Sequence, residues 1–277
     1  MTLRTISLIV FDSREAEWLI PQATEMAYGF DAHLTVLHAY KPVVYYAGVG
    51  APPMVYPTLE TWKEEESAAI RALFEDKVRA NGIQAEFRAQ RDLSGSERFL
   101  LSAVRATDLV LAGTSGTDGR SADDKALLER LIRTVGRPVL VLVPEATIAG
   151  PIASVTAGWS DTREAARAIH DALPLLTPKA EIELVSVVSR ASELSAGIDS
   201  KDDLAAALSR RGYQVTVTDR NLTAESRADE LAEAARNAGS QMLVAGAFGH
   251  SQLYDFVVGA VTGELLEKAR LPVLLSH

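Results

Sequence analysis

The chain alternates short, continuously apolar runs with longer segments whose apolar residues recur at helical spacing. Ile6–Phe11 is apolar at every position except Ser7, and an amphipathic run follows it to about Tyr28. Leu34–Ala39, Leu109–Ala112 and Pro138–Val143 are further apolar runs, each separated from the next by amphipathic or charged segments. Unbroken apolar runs are typical of strands that are covered on both faces of a parallel sheet. The pattern therefore predicts an α/β fold.

The same order of elements begins again after a linker at residues 144–151. Ala153–Ala157 and Met242–Ala245 are predicted strands of this second series, and the letters DLVLAGTSG of the first series return as QMLVAGAFG in the second. Such internal similarity indicates a repeat. We therefore predict two tandem doubly wound domains, at residues 1–144 and 152–277, each a five-stranded parallel sheet with helices on both faces.

One segment of the first half, residues 40–57, fits neither kind of element. It is rich in proline, glycine and tyrosine, a composition that does not continue a strand or a helix. We predict a loop or lid. Its Tyr45, Tyr46 and Tyr56 suggest contact with an unknown protein partner, and closure over the first half's crevice is the alternative role.

The last repeat unit contains a glycine-rich loop between a strand and a helix. Gly246 and Gly249 follow the apolar run Met242–Ala245, and Gly259 opens a helical pattern that ends before a final apolar run. Glycines at a strand end let backbone N–H groups point at a ligand, and a helix N-terminus aims its partial positive charge into the same space. This arrangement predicts a phosphate cradle, and the alternative is that the glycines simply permit a tight turn.

The spacing G-x2-G-x9-G, followed by a small residue, resembles the nucleotide-binding motif of the universal stress protein family, and the repeated layout resembles its tandem, two-copy form. The resemblance implies the doubly wound five-stranded fold of that family, whose members divide into ATP binders and non-binders. Binding members carry an Asp at the end of the first strand, a backbone contact from the end of the second strand, and Ser or Thr after the third glycine. Family copies also pair through their last strands, which implies an intrachain pseudo-dimer here and leaves a homodimer open.

In the second half the resemblance implies a site for ATP or AMP on Gly246, Gly249 and Gly259. The contact residues differ from the family pattern, because Ala260 stands where the hydroxyl residue belongs and Ser160 stands where the acid belongs. We therefore expect a weak site, and the implied function is that of a stress-response sensor or adaptor.

Four further residues complete the candidate site of the second half. Val187 would supply the backbone contact from the second strand, and Thr262 carries a hydroxyl in the first turn of the helix. His250 could meet a phosphate, the alternative being a solvent-exposed loop histidine. Trp159 could stack on adenine, the alternative being packing at the rim of the core.

The first half keeps the family acid as Asp12 but departs from the pattern at the other end of the motif. Gly113 and Gly116 match the first two glycines, whereas counting back from Pro138 puts Lys125 or Ala126 where the third glycine and the hydroxyl belong. We do not expect a nucleotide site in this half.

Composition narrows the functional classes. The net charge of -9 opposes a broad surface for nucleic acid or for an anionic membrane, and the absence of cysteine excludes disulfides and thiol chemistry. The N-terminal segment does not resemble a signal peptide and no apolar run has the length of a membrane span, so we expect a cytoplasmic protein.

No known catalytic motif occurs, and the histidines form no pattern typical of a metal site. The sequence therefore does not decide whether the protein is an enzyme. The alternatives to a nucleotide-binding sensor are an interaction module that binds no nucleotide and a weak ATP hydrolase.

Overall fold

The computed structural model describes residues 3–40, 44–46, 53–55, 57–91, 96–114, 120–188, 198–249 and 260–277. The strands are β1 Thr5–Val10, β2 His33–Tyr40, β3 Val44–Tyr46, β4 Pro53–Val55, β5 Ala85–Arg91, β6 Leu109–Gly113, β7 Val139–Leu142, β8 Ile152–Gly158, β9 Leu176–Val188, β10 Gln214–Asn221, β11 Met242–Gly246 and β12 Val273–Ser276. The helices are α1 Ser13–Phe30, α2 Pro57–Asn81, α3 Ser96–Val104, α4 Ala122–Thr134, α5 Arg163–Ala172, α6 Ile198–Arg210, α7 Arg227–Asn237 and α8 Ala260–Lys268.

A single ten-stranded sheet runs through the chain in the order β10-β9-β8-β11-β12-β7-β6-β1-β2-β5. Within each half all neighbouring strands are parallel, and the two halves meet at the antiparallel pair β12–β7, where Leu274 lies opposite Leu140. Each half has the doubly wound order, with its first strand at the centre. The predicted fold class is confirmed, and so is the predicted pairing of the last strands of the two halves within one chain.

The sheet is covered on both faces, as its unbroken apolar strands predict. In β1, Leu8 and Val10 pack into one core and Ile9 into the other, because successive side chains of a strand point to opposite faces. Helices α1, α2, α5 and α6 contribute to the first core, and α3, α4, α7 and α8 contribute to the second. No helix within the described ranges is both long enough and apolar enough to cross a membrane.

The structure corrects the prediction for residues 40–57. Two short segments there, β3 and β4, pair with each other as an antiparallel hairpin, with Val44 opposite Val55. Pro53 is the first residue of β4, a position at which a missing N–H costs little. The expectations for the tyrosine side chains of this segment lie outside the described side chains.

Helix α7 begins at Arg227. Just before the helix, the backbone N–H groups of Thr223 and Ala224 donate to the buried carboxylate of Glu230. Ser226 then caps the helix.

Reversal of strand direction at β12–β7 determines the edge of the sheet at which the crevice of each half lies. In doubly wound sheets the binding crevice lies beyond the carboxyl ends of the strands, where the chain order reverses. We call the crevice beyond β1 and β6 the first crevice and the crevice beyond β8 and β11 the second crevice. Because the two halves are antiparallel to each other, these crevices open at opposite edges of the sheet.

Candidate functional site

Three predicted site residues of the second half lie at the same edge of the sheet. In the strand register Ala157 is opposite Val244, so Trp159 is level with Gly246, two residues further along each strand. The backbone N–H of Trp159 donates to the carbonyl of Val185 at 2.8 Å, two residues before Val187. The ends of β8, β9 and β11 therefore form the rim of the second crevice.

Gly246 ends β11 in direct contact with the first turn of α5. A Cβ atom at this position would lie 2.5 Å from the backbone nitrogen of Ala165 and 2.7 Å from the carbonyl carbon of Glu164. Backbone cannot yield at such distances, so only glycine fits here. The glycine therefore brings the strand end and the N-terminal turn of a helix together.

Gly249 lies against the same helix end, three residues later. A Cβ there would be 3.0 Å from Oε2 of Glu164 and 3.1 Å from Oγ1 of Thr162. Burial raises the pKa of Glu164, but hydrogen bonds from Arg163 and from its own backbone N–H outweigh that effect and lower the pKa below its ordinary value. An ionised carboxylate consequently lies beside the loop, where it opposes the approach of an anion.

Hydrogen bonds fix the residues between the two glycines. The N–H of Ala247 donates to the carbonyl of Ser276 at 2.8 Å, and the N–H of Phe248 donates to Oγ1 of Thr262 at 3.2 Å. Thr262, predicted to carry a hydroxyl toward the ligand, is buried and accepts this loop N–H. Its oxygen connects α8 to what we call the glycine loop, residues 246–249.

The strand register shows which residue of the second half corresponds to Asp12, the acid of the first half. It is Asp161, the neighbour of the predicted Ser160. Leu8 of β1 and Ala157 of β8 occupy corresponding places beside the strands that carry the loop glycines. Four residues further on, Asp12 corresponds to Asp161 and not to Ser160. The acid is therefore retained in the second half.

Asp161 differs from its counterpart in conformation. Its φ of 52° is left-handed, and α5 is capped by the next residue, Thr162, whose hydroxyl accepts from the N–H of Ala165. Ser160 is exposed, with its hydroxyl 3.3 Å from that of Thr162. Both polar side chains thus stand before the N-terminus of α5 at the edge of the second crevice.

The remaining predicted residues divide between described and undescribed parts of the chain. Trp159 is half-buried against the core, and its indole N–H is buried without a hydrogen-bond partner. Val187 packs on the opposite face of the sheet. Ala260 is the first residue of α8, while His250 and Gly259 lie outside the described residues.

In the first crevice the N-terminus of α1 carries carboxylates of the chain itself. Asp12 caps the helix by accepting from the N–H of Glu15 at 2.9 Å. Glu66 of α2 accepts from the N–H and the hydroxyl of Ser13 at 3.2 and 3.3 Å, and Lys63 donates to its other oxygen at 2.8 Å. An internal anion therefore occupies the helix end.

A buried arginine fills the space over the first loop glycine. Arg120 has a side chain 2% exposed, forms an ion pair with Glu15, and lies 4.6 Å from the centre of the Phe11 ring. Burial raises the pKa of Glu15, while the positive charge of Arg120 acts in the opposite direction. A Cβ on Gly113 would be 3.2 Å from this guanidinium. The first crevice is thus occupied by its own side chains.

The start of α4, where the glycine motif of the first half would end, also differs from the position predicted by counting back from Pro138. Ser121, and neither Lys125 nor Ala126, stands immediately before α4 and caps it through the N–H of Asp124. The helix begins earlier than expected because it is longer than α8.

Sequence reasoning passed over Glu15, Glu164, Arg120 and Glu66. The two glutamates had a visible signal, since the letters DSREA at residues 12–16 return as DTREA at residues 161–165. Arg120 and Glu66 had none, because their partners lie 105 and 53 residues away in the chain. Within the described ranges, no group of three or more His, Cys, Asp or Glu side chains is arranged to hold a metal ion.

Comparison with known proteins gives one family match. Residues 154–277 match the model of the universal stress protein family. No curated protein matches the chain.

Solved structures match nearly the whole chain. A universal stress protein from Archaeoglobus fulgidus DSM 4304 has a TM-score of 0.71 at 14% identity, over 98% of this chain and 95% of its own. A protein provisionally assigned to the universal stress proteins, from Pseudomonas aeruginosa UCBPP-PA14, has a TM-score of 0.62 at 14% identity, over 99% and 93%. The cytoplasmic domain of a prokaryotic cation chloride cotransporter has a TM-score of 0.51 at 12% identity, over 99% and 95%.

Identities this low establish a shared fold and nothing finer, whereas the family match rests on the sequence of the second half. Residues 154–277 therefore match the universal stress protein family in sequence, and the first half of the chain repeats the strand order of that part.

Proposed function

We propose that this chain is a cytoplasmic stress-response protein, a sensor or adaptor, whose second crevice binds an adenine nucleotide. The observation that carries the proposal is the glycine loop. At Gly246 and Gly249 the backbone lies against the first turn of α5, where a side chain would collide with the helix or crowd its cap. Bare backbone beside a helix N-terminus is the usual protein environment for phosphate groups.

The proposed roles follow the position of each residue around the crevice. The backbone at Gly249 and the N–H groups at the start of α8 would face the phosphates, Trp159 and the backbone of Val187 would face the base, and Ser160 with Asp161 would face the ribose. The residues of the phosphate end are Gly246, Gly249, His250, Gly259, Ala260 and Thr262.

Affinity for the nucleotide is expected to be low. Ala260 has no hydroxyl to donate to a phosphate, a loss of roughly 1.5–3 kcal/mol. The ionised Glu164 beside Gly249 adds repulsion. We therefore expect a dissociation constant of about 0.1–1 mM. A bound Mg²⁺ would reduce the negative charge of the phosphates, so ATP should bind more tightly with magnesium than without it.

Equilibrium binding of ATP and AMP, each with and without magnesium, tests the proposal. Gly249→Val should abolish binding while the circular dichroism spectrum stays unchanged, because the new side chain enters the space beside Thr162 and Glu164. Gly150→Val is the matched control, since a Cβ there meets nothing closer than 4.0 Å. Absence of binding at millimolar nucleotide would remove the proposal, and equal affinity in the Gly249 variant would refute the cradle.

A second candidate function is an interaction module that binds no nucleotide. It is favoured by one observation, the filling of the first crevice by Arg120 and Glu66. Failure of the binding experiment would support it. ATP hydrolysis is a third candidate, and product formation above the uncatalysed rate would be its evidence.

A further inference from the structure

Phe248, inside the glycine loop, has an unfavourable backbone conformation. Its φ is 59°, in the left-handed region that residues with a Cβ seldom adopt, and its side chain is buried at 4% exposure. Such a conformation persists only where surrounding contacts hold it in place. The contacts around Phe248 therefore determine the shape of the loop.

The second half holds the backbone around this residue. Thr262 accepts the N–H of Phe248, and Ser276 accepts the N–H of Ala247. The ring Nδ1–H of His277 donates to the carbonyl of Ala247 at 2.9 Å, and this ring also meets the Phe248 ring edge-on at 6.3 Å. These bonds fix the backbone but leave one face of the phenyl ring to be covered.

The first half covers that face. Arg133 lies in the last turn of α4, and its guanidinium carbon is 3.3 Å from the centre of the Phe248 ring. A guanidinium stacked on an aromatic face is attracted by the ring electrons and shields the ring from water. Within the described ranges Arg133 has no carboxylate partner, and its guanidinium stacks on the Phe248 ring instead.

The contact follows from the geometry of the sheet. Because β7 and β12 are antiparallel, the last helix of each half ends beside the crevice of the other half. The reciprocal contact exists at the opposite edge, where the hydroxyl of Thr114, which follows β6, donates to the carbonyl of Leu266 in α8 at 2.7 Å. Arg167 of α5 also connects the two halves, because it donates to the carbonyls of Gly136 at 2.7 Å and His277 at 3.0 Å.

We propose that Arg133 is a positioning residue for the second crevice: the first half, through α4, holds the glycine loop of the second half in its ligand-competent shape. The ligand part of this inference rests on the proposed nucleotide site, whereas the effect on the loop does not. A ligand that lies against the backbone of the glycine loop binds the ordered loop, so its affinity depends on a residue of the other half. By reciprocity, ligand binding stabilises the contact between α4 and the loop.

The test compares two substitutions on α4 in the full chain. Arg133→Met keeps the length of the side chain and removes the guanidinium. Arg130→Met is the matched control, because Arg130 lies one turn earlier and pairs with Glu97 of its own half at 2.9 Å. Hydrogen exchange of the Ala247 and Phe248 amides, measured by NMR without ligand, should become at least about 5-fold faster in the Arg133 variant and stay unchanged in the control.

Titration with ATP and magnesium supplies the second measurement. The dissociation constant should rise about 3- to 10-fold in Arg133→Met and stay unchanged in Arg130→Met. Unchanged amide exchange in the Arg133 variant, or equal acceleration in both variants, would overturn the proposal. Faster exchange with unaltered affinity would overturn its ligand part. If the wild-type chain binds no ATP, the proposed function fails, and the exchange measurement alone still decides whether Arg133 positions the loop.

Discussion

At the scale of single residues, buried acids determine the local structure around both crevices and beyond them. Glu15 and Glu164 occupy corresponding places in the first turns of α1 and α5, yet their surroundings differ. Glu15 is neutralised by the buried Arg120, whereas the partner of Glu164 is Arg163, whose side chain is 83% exposed. The charge of Glu164 is thus less compensated, which is the physical basis for expecting weak binding of phosphate in the second crevice.

Glu230 supplies a prediction about stability and pH. Hydrogen bonds from the Ala224 N–H, from Arg220 and from Thr223 outweigh burial and lower the pKa of its carboxyl from 4.5 to about 2. A lowered pKa means that the folded state binds protons less readily than the unfolded chain. The carboxylate therefore contributes stability that is fully present above pH 4.5 and is lost as the pH falls toward 2.

Glu230→Gln should accordingly lower the free energy of unfolding by at most about 3 kcal/mol at pH 7, and the difference from wild type should shrink between pH 4.5 and 2. Urea unfolding at pH 7 and pH 3 measures both effects. Glu233→Gln is the control, because the Glu233 side chain is 46% exposed and its ion pairs are long, so it should cost less than about 1 kcal/mol. A difference for Glu230→Gln that grows as the pH falls would contradict the assigned pKa.

At the scale of elements, strands such as β6, β7 and β11 could be predicted because each is an apolar run. Leu109–Gly113 is an example, with every residue buried. The hairpin β3–β4 could not, since proline and glycine dominate the composition there and the pairing of two three-residue segments leaves no period in the sequence. The filling of the first crevice could not be predicted from the sequence either, because Arg120 and Glu15 are brought together only by the complete fold.

Packing of β11 against α5 gives a prediction at this scale. Gly246→Ala should destabilise the protein by about 1–3 kcal/mol, because the new methyl group would meet the backbone of Ala165 and force the helix away from the strand. Thermal and urea unfolding would measure the change.

Gly263→Ala on α8 is the matched control. A Cβ at Gly263 meets nothing within 4 Å, so the substitution should stabilise the helix by about 0.5–1 kcal/mol. Equal stability of the two variants would contradict the close packing of β11 against α5.

At the scale of the whole molecule, the pair β12–β7 joins the two halves into one continuous sheet, in the order β11-β12-β7-β6. All residues of β7 and β12 are buried. Separation of the halves would expose an apolar edge strand, and such edges pair with any available copy.

We therefore predict that residues 150–277, produced alone, form a dimer through β12 in place of the missing β7. Sedimentation equilibrium would give the mass. A monomeric wild-type fragment with native circular dichroism would show that the second half does not need a partner strand.

Opposite placement of the two crevices has a mechanical consequence. A strand advances about 3.3 Å per residue, so the carboxyl ends of the two halves are separated by the full height of the sheet. Molecules that contact the two edges cannot touch each other, and no flexible linker sets the gap between them, because the sheet is continuous across β12–β7. Whatever binds at both edges is thus held apart by a rigid spacer, at a distance that depends on the length of the strands and on the number of strands between the two crevices.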